Sequence, residues 1–214
     1  MPTRLRLLLL VAVPPVVCAL IGLAHPHHLT EQTASEWRAM HIWLIPIFPL
    51  IGLGPWLIAR RISRPLGWVA AIGGYGFATF YTSLDLLAGV AAGTLQLAGD
   101  TAGKAPIYEI ARVLGLVGVI SLVVACLAAA VAGCVRAPRW AVPGGLLAVT
   151  GAALVQPGHI YPGLGTLAML LLAVGLALLA IAATVESRAA ASPSATGASP
   201  TTEGPAIDAG PSVR

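Results

Sequence analysis

The chain has 214 residues, of which 57% are hydrophobic and 9% charged, and its mean hydropathy is +0.88. A soluble domain covers itself with about a quarter charged residues, so most of this chain has lipid as its solvent. The net charge of +4 is no nucleic-acid footprint, because the basic residues stand in short clusters between apolar runs rather than in a stripe with interleaved aromatics.

A helix needs about 20 mostly apolar residues to cross the hydrocarbon core. Six runs qualify or come near, at about 5–24, 42–59, 66–90, 110–132, 141–155 and 163–185. The expected fold is therefore an all-α integral membrane protein: a six-helix transmembrane bundle within 1–188, grouped as three helical hairpins. From 189 to 214 the composition turns to Ala, Ser, Pro, Thr and Gly. Too little apolar surface remains there to offset the entropy of ordering, which predicts a disordered tail.

The first run has a competing reading. Arg4 and Arg6, the apolar stretch and Gly22-Leu23-Ala24 before His25 together have the layout of a cleavable signal peptide. The stretch exceeds the usual apolar region of about 7–15 residues, which favours a retained helix. Prolines gather in the first two runs, at Pro14, Pro15, Pro46, Pro49 and Pro55. Each removes an amide donor and bends its helix. The third and fourth runs carry glycines at 67, 73, 74, 76, 115 and 118, which predicts close helix packing. The fifth run is short and is expected to draw the turn after it, 156–163, into the outer leaflet.

Orientation follows from the arginines. With six crossings Arg4, Arg6, Arg60, Arg61, Arg64, Arg136, Arg139 and Arg188 share one side, and only Arg38, Lys104 and Arg112 fall on the other. The positive-inside rule then puts both termini in the cytoplasm of a cell-membrane protein. Trp56, Trp68 and Trp140 stand beside the arginine clusters as an inner aromatic belt, with Trp37 and Trp43 as the outer one. Cys18, Cys126 and Cys134 lie within or at the ends of apolar runs, without the paired spacing of a disulfide framework or a cysteine metal site.

That topology gathers all five histidines, His25, His27, His28, His41 and His159, on the outer side. Imidazole is the commonest transition-metal ligand, so this set is the candidate metal site, with zinc or copper the fitting ions. The plain alternative is a set of solvated interfacial histidines. Asp85, near the outer end of the third run, is an ionisable group at membrane depth and thereby a functional candidate. Arg112 is its expected partner, with Glu109 three residues earlier. Thr33 and Glu36 have capping-box spacing and predict a helix start that leads into the second run.

Several enzyme classes lack their residues: there is no HExxH, no Gly-x-Ser-x-Gly, and no histidine on the inner side for a pair of haems stacked across the bilayer. Three readings stand in order. The first is a non-enzymatic binding or scaffold protein whose outer face takes a metal, lipid or partner. The second is a small transporter or channel-like protein with Asp85 and the histidines at its mouth. The third is an outer-face metal or haem redox protein. The lipid bilayer is the expected partner, and a protein partner or second copy is left open.

The run His25-Pro26-His27-His28-Leu29-Thr30, with Trp37-Arg38, His41 and the Pro46–Pro49 segment, resembles uncharacterised multi-pass membrane proteins of high-GC Gram-positive bacteria. The resemblance covers the first third of the chain and implies no activity and no site.

Overall fold

The computed structural model describes residues 3–159 and 162–185, which are helices and short connections with no strand. The expected tail at 189–214, with Glu186 and Arg188, lies outside the described residues. Helix α1 is Thr3–Gly22, α2 Ala34–Leu44, α3 Ile47–Ala59 and α4 Arg64–Leu84. A seven-residue stretch of wider π-helix, Asp85–Ala91, carries α4 into the short α5, Ala92–Leu97. Then come α6 at Lys104–Arg136, α7 at Pro138–Gly158 and α8 at Pro162–Thr184.

Five stretches are long and apolar enough to cross a membrane: Thr3–Gly22, Ala34–Ala59, Lys104–Arg136, Pro138–Gly158 and Pro162–Thr184. The expected run 66–90 falls on α4 and the π-helix and is not one of the five. Thr79, Tyr81, Thr82, Ser83 and Asp85 dilute its apolar content.

Local chemistry explains where the boundaries moved. Pro46 has no amide to donate, and it separates α2 from α3 within one apolar stretch. Helix α7 is longer than the expected 141–155. Pro138 sits in its first turn, where a missing N–H leaves no helical bond unmade, and the chain stays helical through Pro157 to Gly158. Helix α2 does begin after Thr33, but the capping box does not form. The Thr33 hydroxyl donates to the His28 carbonyl at 2.7 Å and accepts from the Thr30 amide at 2.9 Å, so it closes the 28–33 loop instead of capping the helix.

The long helices close a ring. α1 packs on α3 and α8, α3 on α4, α4 on α6, α6 on α7, and α7 on α8. Phe48, Ile51, Phe77, Leu122, Leu172 and Leu176 fill its middle. At the α3–α4 crossing Gly52 meets Gly74 backbone to backbone, and a Cβ on either would strike the other's carbonyl oxygen. Such approach supplies dispersion contact where lipid gives helices no hydrophobic drive to associate. The outward faces are apolar too, with Leu10, Leu20, Ile72, Ile120, Leu146 and Val174 exposed. In water that surface would be a very large sticky patch; in hydrocarbon it is ordinary.

Candidate metal centre

Four ionisable side chains from four places in the chain meet at one end of the ring. His25 comes from the loop after α1, His41 from the last turn of α2, Asp85 from the first position of the π-helix, and His159 from the cap of α7. His41 and Asp85 are fully buried and His25 nearly so.

The helix geometry that delivers them is local. Trp37 and His41 are four residues apart and share a face of α2. Their rings stack with centroids 5.1 Å apart, and the indole N–H of Trp37 donates to the Ala88 carbonyl in the π-helix at 3.0 Å. The His41 ring lies directly over Gly89, where any Cβ would overlap it. π-helical insertions of this kind are rare and gather at functional sites.

Each imidazole is anchored through Nδ1. His25 Nδ1 contacts the Pro26 carbonyl at 2.7 Å and His41 Nδ1 the Trp37 carbonyl at 2.6 Å. A carbonyl only accepts, so in both rings Nδ1 carries the proton and a neutral ring keeps its Nε2 lone pair free. His159 Nδ1 lies 2.8 Å from the Tyr81 hydroxyl, which donates to the Val155 carbonyl at 3.3 Å and so has a lone pair for the imidazole N–H. Burial holds the His25 imidazole below its ordinary value, against a smaller opposing pull from the Pro26 carbonyl.

The opposite ends of the rings are bare. The Nε2 atoms of His25, His41 and His159 and both carboxylate oxygens of Asp85 are buried with no hydrogen-bond partner. His41 Nε2 stands 3.9 Å from Asp85 Oδ1. One ligand atom from each of His41, Asp85 and His159 falls within 4.8 Å of the others, a group that could hold a metal ion. The His25 ring centroid is 5.2 Å from that of His41 and 6.2 Å from that of His159. Five buried polar atoms left bare together would be costly, and a cation is what such a donor set satisfies.

Of the residues singled out from sequence, His25, His41, His159 and Asp85 are brought together. His27 and His28 are exposed on the loop, and Glu109 and Arg112 are exposed near the start of α6. Among the described residues the ionic partner within 4.0 Å of Asp85 is His41, and Arg112 makes no such contact. Tyr81 joins the site without having been marked by composition or motif. Its one signal is its place four residues before Asp85, on the same helix face. The three cysteines are free. Cys18 lines a small cavity of about 50 Å³ beneath His25 and His159.

Comparison of the chain with protein-family models, with curated proteins and with solved structures gives no match.

Proposed function

We propose that the protein is a six-pass membrane protein, with both termini in the cytoplasm, that holds a transition metal ion near its outer surface between His25, His41, Asp85 and His159. The observation that carries the metal reading is the group His41, Asp85 and His159, whose ligand atoms lie within 4.8 Å of one another, with the buried, unpartnered Nε2 of His25 on a neighbouring ring. Three nitrogens and one oxygen suit tetrahedral zinc best. Around zinc at about 2.0–2.1 Å, ligand atoms stand roughly 3.3 Å apart, so the three ligand atoms of His41, Asp85 and His159, within 4.8 Å of one another, would draw closer around the ion. The Nδ1 anchors to Pro26, Trp37 and Tyr81 are the outer-shell contacts that orient metal-bound imidazoles.

The sixth crossing in this reading is α4 with the π-helix. It is supported by the packing of α4 between α3 and α6 and by the exposed arginines at 4, 6, 60, 61, 64, 136 and 139, all at the end of the bundle that the topology assigns to the cytoplasm. The transport reading has less support, because Phe48, Phe77 and Tyr81 stack beneath the cluster and fill the way through the ring. A metal-dependent activity at the outer face is the second reading. One observation favours it: a cavity of about 480 Å³ that reaches His159 from outside.

Elemental analysis of the purified full chain tests the centre. The expected result is about one zinc per chain, lost in His41→Ala and in Asp85→Asn. Metal-free protein that gains no zinc on titration would overturn it.

A further inference from the structure

The cavity beside the cluster has a chemistry of its own. It lies under the 27–29 loop, between the π-helix, the first turns of α6 and the end of α7, with Trp37 and His159 at its inner side. Its volume of about 480 Å³ falls in the range of sites that take small ligands, about 300–1,000 Å³. Leu29, Leu84, Ala88, Ala111 and Pro157 supply apolar wall. Water in so apolar a space would find few of the two to four partners it needs, so an apolar occupant fits better.

The polar side chains on the lining are His27, His28, Tyr108, Arg112, Gln156 and His159. Among the described residues no acidic side chain lines the cavity, whereas Arg112 does, and Arg112 makes no ion pair there. Glu109, one turn earlier, lines a separate groove with Ile110, Val113 and Leu114. The Gln156 side chain donates to the Arg112 carbonyl at 3.2 Å, and its Oε1 is buried beside Gly115. The cavity thus offers hydrocarbon contact and the Arg112 guanidinium, with His27, His28, Tyr108 and His159 also on its wall.

We propose that this cavity binds an anionic single-chain amphiphile, such as a glycerol phosphate bearing one acyl chain. The chain lies against Leu84, Ala88 and Ala111. The phosphate pairs with Arg112. The depth of the cavity, at the outer end of the bundle, matches the leaflet from which such a molecule would enter. This inference does not depend on the metal centre, although its occupant would lie beside His159.

The test uses the purified full chain in a neutral maltoside detergent, with binding read by native mass spectrometry and metal content measured on the same samples. The probes are oleoyl-lysophosphatidylglycerol, oleoyl-lysophosphatidylcholine and chain-free glycerol phosphate. The expected result is one bound lysophosphatidylglycerol per chain, held about tenfold tighter than lysophosphatidylcholine, and no retention of glycerol phosphate. Arg112→Gln should erase the preference, and Ala111→Trp should abolish binding of both lipids with zinc unchanged. Because Ala111 is tightly packed, Leu29→Trp fills the same cavity from the loop and should have the same effect. Equal binding of the two lipids by the unaltered protein would overturn the proposal, as would full binding by a folded Leu29→Trp protein. Selective lipid binding by protein that takes up no zinc on titration would support the cavity and sink the metal centre, whereas zinc without lipid selectivity would do the reverse.

Discussion

His41 Nε2 and Asp85 Oδ1 face one another across 3.9 Å, fully buried, and neither atom has a hydrogen-bond partner. That separation is too long for a hydrogen bond and suits two ligands waiting on a shared ion. If the ion is present, it ties the first three helical stretches to the last pair. Chelation should then lower the melting temperature, and added zinc should restore it. At a hundredfold excess over Kd a ligand stabilises by about 2.7 kcal/mol. Asp85→Asn protein should show no such response in a thermal-shift assay, and an equal response in the variant would remove Asp85 from the centre.

Tyr81→Phe isolates the anchor of His159. The phenylalanine ring keeps the contacts with Phe48 and Phe77, and only the hydroxyl that meets His159 Nδ1 at 2.8 Å is lost. Outer-shell losses of this kind typically reduce metal affinity by about 10–100-fold. Competitive zinc titration should show that drop with little change in the melting temperature of the metal-free protein. Unaltered zinc affinity would mean that the hydroxyl has no part in orienting the ligand.

Gly89 is where the π-helix leaves room for His41. In Gly89→Ala the new methyl group overlaps the imidazole, and overpacking of this sort costs about 1–3 kcal/mol. The variant should lose both zinc and thermal stability. Gly22→Ala, at a position with open space around it, is the control and should match the parent in both measurements.

The topology predicts a labelling pattern. In a cysteine-free background, Thr101→Cys should react with a membrane-impermeant maleimide in intact cells, and Arg61→Cys should react only after permeabilisation. The opposite pattern would turn the map over and put the histidines inside.

Much of the helical architecture can be read from the sequence because apolar length alone decides it, and length needs no knowledge of partners. Helix ends are harder to read, because a hydroxyl has more than one use: Thr33 spends its oxygen on the His28–Thr33 loop, which no four-residue pattern reveals. Asp85 makes the same point at the site. Arg112 is the natural partner by sequence, since both lie toward the outer end of adjacent runs. The carboxylate instead faces His41, because α2 packs on the π-helix and Gly89 lets the imidazole in. Tyr81 was silent for a different reason: an interior tyrosine in a membrane helix looks like packing until the atom opposite its hydroxyl is known.

The order in which the four side chains emerge during synthesis has a consequence for biogenesis. His25, His41 and Asp85 leave the ribosome early, whereas His159 follows α6 and α7 and enters with the last pair of helices. Until that pair docks against α1 and α6, an early-captured ion would have an incomplete set of donors and would exchange freely. If the ion is held, its retention would report that the chain through His159 is in place, and a quality-control protease that favours ion-free protein would remove chains stalled before that step.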